Sequence, residues 1–369
     1  MIKLRRIELN GFKSIRNMDI ELRDLNILIG ANGAGKSNLI SFFKMLNEMM
    51  AGRLQLYIGT SGRAQSLLYF GPKTTPQLAA KLEFEWGESI GTYAMRLNHA
   101  AGDSLVFADE TLIFQGADSA TPEIAVLGAG HQETELNELT HTEKLTANVL
   151  WSMMRSFSVY HFHDTSATAR PRQYGYIADN YWLAADAGNL AAILYRLRTE
   201  VGGAWYQPIV RTIRLIAPFF DDFDLEPSGP DKREIILNWR QCGSEQLFGP
   251  HQFSDGTLRA ICLITLLLMP DAAKSRLIIV DEPELGLHPY ALNVIASLFK
   301  QAATRTQVLI STQSSAFLDN FEPEDIIVAE RDRRESRFRR LRELELEAWL
   351  EEYSLGEVWE KNVIGGGPH

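Results

Sequence analysis

The chain has 369 residues, 45% of them hydrophobic and 23% charged, the profile of a soluble globular protein of about two lobes. A net charge of −10 argues against a wholly basic nucleic-acid binder, though not against a local basic groove. The longest apolar stretch, residues 260–269, is too short to span a bilayer, the start alternates like a strand rather than a secretory leader, and Cys242 and Cys262 show neither metal spacing nor a disulfide framework. The cytoplasm is therefore the expected location, with no membrane partner.

Residues 2–9 and 20–29 read as strands flanking a turn at Asn10-Gly11-Phe12-Lys13. The second strand closes on the apolar run Leu25-Asn26-Ile27-Leu28-Ile29. Directly after it stands Gly30-Ala31-Asn32-Gly33-Ala34-Gly35-Lys36-Ser37, which fits G-x-x-x-x-G-K-[ST], and a helix is expected from Asn38 to Met50. Strand, loop and helix in that order are the setting a phosphate-binding loop needs. Its glycines let backbone N–H groups turn toward phosphate oxygens, and the helix N-terminus adds positive potential. Lys36 is expected to face solvent and reach the β- and γ-phosphates. Ser37 is expected to hold Mg²⁺, so ATP with Mg²⁺ is the expected ligand pair.

Residues 52–76, rich in Gly, Ser and Thr, read as loop. Leu82, Phe84 and Trp86 share one strand face; residues 93–97, 105–107 and 111–114 read as further strands of an antiparallel meander, and 117–132 as loop. A helix is expected over 142–157, a strand over 158–162 and irregular chain over 171–181. Asp186-Ala187-Gly188-Asn189 resembles a cap for a helix over 190–198. A helix over 204–216 and a strand over 234–239 follow, then an apolar helix over 258–268. Residues 277–280 and 307–310 have the short, fully apolar look of buried parallel strands, with a helix over 292–301 between them.

Two further motifs carry chemistry. Leu277-Ile278-Ile279-Val280-Asp281-Glu282-Pro283-Glu284 places two carboxylates at the C-terminal end of a buried strand, the edge where ligands bind in open α/β sheets. Asp281 suits the holding of Mg²⁺, and Glu282 the polarising of an attacking water. Phe253-Ser254-Asp255-Gly256-Thr257 precedes the apolar helix; Ser254 is a good N-cap, and such a terminus can bind a γ-phosphate.

In this order, followed by Glu284-Leu285-Gly286-Leu287-His288-Pro289 and Ser311-Thr312-Gln313-Ser314, the motifs resemble the ABC-type ATPase heads of the RecF, SMC and OLD-nuclease branch. The resemblance implies an α/β P-loop NTPase fold, with a central mostly parallel sheet, an antiparallel β meander and a helical lobe. It implies that residues 30–38, with Asn38 opening the helix, bind ATP. The stretch 253–257 would stand as the signature, so that Ser254 and Gly256 complete the site of a facing subunit in a homodimer. Residues 284–289 would be the D-loop, and 311–314 the switch. Many relatives carry His where this chain has Gln313, which cannot carry a proton at pH 7 but can donate a hydrogen bond to phosphate. The opening Ile7-Glu8-Leu9-Asn10-Gly11-Phe12-Lys13-Ser14-Ile15 is also typical of that branch and lies near the nucleotide there, which points to Lys13 or Arg16. Gln65 and Gln77 both remain open as the Q-loop residue.

Other features are weaker. His161-Phe162-His163 puts two imidazoles on one strand face, a spacing that can chelate a metal or serve structure alone. Seven arginines between Arg331 and Arg342 read either as a solvated hairpin, with strands 326–331 and 337–341, or as a phosphate-backbone contact. Residues 344–359 read as one docking helix, and the glycines 365–367 as the end of order.

Four segments result: an ATPase lobe over 1–165, a helical insert over 166–250, a second ATPase lobe over 251–330, and a hairpin with docking helix over 331–369. The expected role is a regulatory ATPase whose head dimerisation controls a separately encoded effector such as a nuclease, in antiphage defence or DNA maintenance. A RecF-like DNA-binding repair ATPase is the alternative, and a transporter subunit a more distant one. With no arm of coiled-coil length a long tether is not expected, and after Arg331 too few residues remain for a TOPRIM nuclease.

Overall fold

The computed structural model describes residues 2–117, 121–139, 145–270, 275–342, 344 and 346–367. The chain forms two compact units, Met1–Ser158 with Glu322–His369, and Val159–Phe321.

The first unit opens with β1 (Lys3–Phe12) and β2 (Ile15–Glu21), paired antiparallel so that Phe12 faces Ile15. The turn is Lys13-Ser14 rather than Asn10 to Lys13. Lys13 takes the left-handed conformation at φ 48°, which lets the hairpin close in two residues. The single strand expected over 20–29 is two, because the chain breaks after Glu21 and restarts as β3 (Leu25–Ile29), all five residues of which are buried. β3 runs parallel to the strand Ile326–Asp332, which turns back antiparallel into Glu335–Arg340, the hairpin expected there.

α1 (Lys36–Met50) follows β3, as the loop motif requires. Residues 52–76 are not all loop: α2 (Leu54–Thr60) and α3 (Arg63–Leu67) lie within them, held by buried Leu54, Ile58, Ala64 and Leu67. Gly52, Gly59 and Gly62 punctuate this stretch; only Gly59 lies within a helix, where burial of the apolar face overrides its poor helix propensity. The expected meander is present as β4 (Gln77–Trp86), β5 (Ser89–Ala100) and β6 (Ser104–Gln115), with β4 also paired to β1. β6 is one strand rather than two; a register shift opposite Arg96 and Leu97 interrupts its alternation. β7 (Glu123–Gly128) lies where loop was expected. Ile124 and Val126 are exposed there, so hydrogen bonding to β6 rather than burial holds it.

The helix expected over 142–157 is found as Leu145–Arg155, with 142–144 outside the described residues. The core of this unit is aromatic. Phe12, Phe42, Phe43 and Phe157 pack edge to face at 5.7–6.2 Å between centroids, and Phe84 stacks on Phe157. Each such pair adds about 0.5–1.5 kcal/mol beyond its area.

Near the end of the chain, two short helices, Glu347–Leu350 and Leu355–Glu360, replace the single docking helix. Ser354 restarts the helix with a capping box on Glu357. The glycines 365–367 do not end the order: Gly366 N–H donates to Glu330 Oε1 at 3.1 Å, and Gly367 N–H to Asn362 Oδ1 at 3.1 Å.

The strand expected over 158–162 is found as Phe157–Tyr160, and the second unit contains the helices Leu190–Thr199 and Tyr206–Ile216. Asn189 precedes the first of these but does not cap it with its side chain. Its oxygen accepts from Ala184 N–H and its amide donates to the Trp182 carbonyl, tying the preceding loop instead. The expected strand over 234–239 is two fragments in different sheets: Glu234–Ile235 pairs with Gly175–Tyr176, and Asn238–Gln241 with Phe220–Asp224. Asp255–Leu268 is apolar on nearly all sides and buried accordingly. Leu277–Asp281 and Gln307–Thr312 are parallel neighbours, with Asp281 opposite Ser311, and the helix Pro289–Ala303 makes the crossover between them.

Among the described residues no helix is long and apolar enough to cross a membrane.

Candidate functional site

In the first unit, residues 30–37 join β3 to α1. Gly35 adopts φ 114°, and a Cβ there would sit 2.2 Å from Ser336 Oγ, so both conformation and space demand glycine. Lys36 does not face solvent as expected. It is 5% exposed and its ammonium donates to the carbonyls of Gly30 and Ala31, neutralising the inward-turned oxygens of its own loop.

A small polar cluster holds the loop's surroundings. Asn38 Nδ2 donates to Ser14 Oγ at 2.5 Å, Ser14 Oγ lies 2.6 Å from Ser336 Oγ, and Ser336 N–H donates to the Ser14 carbonyl. The β1–β2 turn, the start of α1 and the C-terminal hairpin therefore meet beside the loop. Lys13 donates to Ser41 Oγ at 2.5 Å; burial lowers its pKa, with repulsion from Lys44 adding to the effect.

These elements border a cavity of about 910 Å³, lined by Lys13, Asn38, Phe70, Lys73, Arg331 and Arg334 among others, with no carboxylate in its wall. Arg334 stands over the exposed Phe70 ring, and Arg331 donates to the Gly33 carbonyl. Four cations and an open aromatic face suit an anionic ligand with a flat ring. Of the two candidates near the opening motif, Lys13 lines this cavity and Arg16 is exposed outside it; Gln65 also lines it, while Gln77 begins β4. The basic run is divided: Arg337 pairs with Asp332 and Glu335, Arg339 donates to the Ile364 carbonyl, and Arg340 to the Glu21 and Glu324 carbonyls.

In the second unit, Asp281 and Glu282 end the strand Leu277–Asp281 as the sequence reading has it. Glu282 is left-handed at φ 45°, an uncommon conformation for a side chain of its kind, and its N–H is held by the Ser311 carbonyl at 2.7 Å. Its Oε1 accepts the side-chain amide of Gln313. Glu284 Oε1 accepts from Thr312 Oγ1 at 2.7 Å and from Gln313 N–H at 2.9 Å, while its Oε2 is buried without a hydrogen-bond partner among the described residues. Burial raises the Glu284 pKa above the ordinary 4.5, against the lowering effect of those bonds.

Ser254 is an N-cap, its Oγ accepting from Thr257 N–H at 3.2 Å, and it is exposed. Gly256 has a local reason to be glycine, since a Cβ there would lie 2.1 Å from the Gly286 carbonyl oxygen, where two backbone segments meet. Two buried arginines, neither singled out from the sequence, fix this region. Arg172 donates to the Pro250 and Phe253 carbonyls and to Asp255. Arg259 donates to the carbonyls of Phe162, His163 and Leu285. Arg259 is the one cation in an apolar helix, and that contrast was the available signal; Arg172 offers none. Phe253 stacks on Trp239 at 4.6 Å, anchoring the segment before Ser254.

The residues read as a metal-capable pair come together with the strand end. His163 Nε2 lies 3.0 Å from the Asp281 carbonyl oxygen, and His161 Nδ1 4.0 Å from Asp281 Oδ2.

A family described as “AAA domain, putative AbiEii toxin, Type IV TA system” matches residues 25–319. Among solved structures, an SMC head bound to the C-winged helix domain of ScpA superposes with a TM-score of 0.59 at 14% identity, covering 94% of this chain and 99% of that one. The SMC head of Thermotoga maritima gives 0.51 at 15%, covering 92% and 99%. An SMC head with an extended coiled coil, bound to the C-terminal domain of ScpA and derived from Pyrococcus furiosus, gives 0.58 at 14%, covering 95% and 99%. No curated protein matches the chain. At these identities the structural likeness is one of fold, the α/β P-loop NTPase fold of the SMC heads.

Proposed function

This chain belongs to the AAA domain family matched over residues 25–319, and from that we propose that it binds and hydrolyses ATP, and that ATP-dependent pairing of two heads controls a separate effector. The observation that carries the reading is the complete loop Gly30 to Ser37 at the head of α1, bordered by a four-cation cavity with an aromatic face. Backbone N–H groups of residues 30–38 would cradle the phosphates, with Lys36 leaving its loop carbonyls to supply positive charge. The left-handed turn at Gly35 and the serine two residues on, Ser37, fit a phosphate with its ion. Ser37 and Asp281 are the residues that would hold Mg²⁺, which when bound neutralises phosphate charge.

Glu282 would take a proton from the attacking water, whose oxygen bonds to the γ-phosphorus as the bond to the bridging oxygen breaks, leaving ADP and phosphate. Gln313, whose side-chain amide donates to Glu282 Oε1, would orient that carboxylate. Ser254 and Gly256 would meet the nucleotide of a facing head, which the exposure of Ser254 permits.

The effector reading draws on the family description, which names a toxin of a toxin–antitoxin system, and on SMC heads solved with a bound ScpA domain. Defence or DNA maintenance remains the proposed setting. Direct DNA binding has less support, because Arg337, Arg339 and Arg340 are taken up by their own chain. Expression with neighbouring genes, followed by identification of proteins that co-purify with and without ATP, tests the reading. ATP turnover with a nucleotide-dependent protein partner is the expected result; turnover that responds to DNA alone would replace it with the RecF-like alternative.

A further inference from the structure

More than a hundred residues of chain separate His161 and His163 from Asp281, yet one nitrogen of each imidazole and a carboxylate oxygen of Asp281 lie within 4.8 Å of one another. Mg²⁺ favours oxygen ligands and has no need of two imidazoles, whereas a late first-row ion binds imidazole and carboxylate together. We propose that His161, His163 and Asp281 form a binding site for a zinc-class divalent cation, overlapping the carboxylate assigned above to Mg²⁺.

Three features of the geometry support it. His161 and His163 follow directly on the strand Phe157–Tyr160, and their rings lie 5.9 Å apart. The backbone of that segment is clamped, because Arg259 donates to the Phe162 carbonyl at 2.8 Å and to the His163 carbonyl at 3.3 Å. His163 also has a support common among metal-bound histidines: its Nε2–H donates to the Asp281 carbonyl at 3.0 Å, which leaves the lone pair on Nδ1. That Nδ1 stands 3.8 Å from Glu282 Oε2, which offers a fourth ligand atom at the rim.

A tetrahedral ion with bonds of about 2.1 Å separates its ligand atoms by about 3.4 Å. The 4.0 Å between His161 Nδ1 and Asp281 Oδ2 is close to that spacing. Both imidazoles are about a third exposed, so an ion can enter and the rings can turn to meet it.

Metal binding here does not depend on ATP hydrolysis, so it is measured without nucleotide. The full chain in metal-free buffer is titrated with Zn²⁺ by calorimetry, alone and in excess Mg²⁺, beside His161→Gln, His163→Gln and Asp281→Asn, with circular dichroism melts as controls for folding. The expected result is one Zn²⁺ per chain, retained in Mg²⁺, with each variant weaker by about tenfold or more. Wild-type affinity in both folded histidine variants, or no stoichiometric uptake by the wild type, would overturn the site. Should a variant unfold, Co²⁺ on the wild type decides: a visible spectrum of low-coordinate, nitrogen-ligated cobalt supports the site, and the spectrum of the hydrated ion refutes it.

Discussion

Gln313 and Glu282 are joined side chain to side chain, the Gln313 amide donating to Glu282 Oε1 while the Gln313 backbone N–H donates to Glu284 Oε1 at 2.9 Å. One residue thus holds both carboxylates that follow Asp281. A glutamine makes this bridge without a proton that titrates near neutrality, so the orientation of Glu282 should persist across the physiological range.

Glu282→Gln keeps the size and one hydrogen-bond acceptor but removes the base. Hydrolysis should fall about 10²-fold or more while ATP binding is retained, as read by phosphate release and calorimetry. Gln313→Ala should lower turnover by less, since it removes the orientation and not the base. Equal turnover in Glu282→Gln and the wild type would place the base elsewhere.

Lys36→Ala should abolish detectable ATP binding, because backbone amides cannot supply its charge. The buried position of Lys36 adds a second consequence: the Gly30 and Ala31 carbonyls lose their donor, at a cost of about 1–3 kcal/mol. The variant should therefore melt at lower temperature yet remain folded at 25 °C. Calorimetry showing wild-type ATP affinity would remove the loop from the nucleotide site.

Ser254 tests the pairing of heads. Ser254→Arg should lose ATP-dependent dimerisation in light scattering and lose turnover, with its cap on the helix Asp255–Leu268 as the lesser effect. Mixing Ser254→Arg with Lys36→Ala should restore part of the activity, because one of the two composite sites is then built from intact halves. A chain that hydrolyses alone would show no rescue and a rate per chain independent of concentration.

Glu284 supplies a pH dependence. Its folded-state pKa is raised by burial above the ordinary 4.5. Below that value both folded and unfolded chains carry the proton, and its stabilising contribution is fully present. As pH rises through 4.5 the unfolded chain ionises first, so stability is lost until the folded pKa is passed. Glu284→Gln removes this loss, so its stability relative to the wild type should rise with pH above about 4.5 and then level off. Denaturation midpoints of the two proteins from pH 4 to 8 check it, and a difference that stays flat with pH would show that Glu284 is ionised in the fold as freely as in the unfolded chain.

Some of this protein was legible in the sequence because the chemistry concerned is local. The loop 30–37, the apolar strand ending in Asp281 and Glu282, the cap at Ser254 and the hairpin after Ile326 each depend on neighbours a few residues away, through periodicity, turn chemistry and capping. The helices α2 and α3 were hidden because their glycines signal loop while burial decides otherwise. β7 was hidden because backbone pairing, not an apolar face, holds it. The burial of Lys36, the cavity joining Lys13 and Phe70 to Arg334, the clamp of Arg259 and the meeting of His161 and His163 with Asp281 belong to the tertiary structure alone. Each brings together groups far apart in the chain, and what places them is the packing of separate elements, for which a single sequence carries no local period.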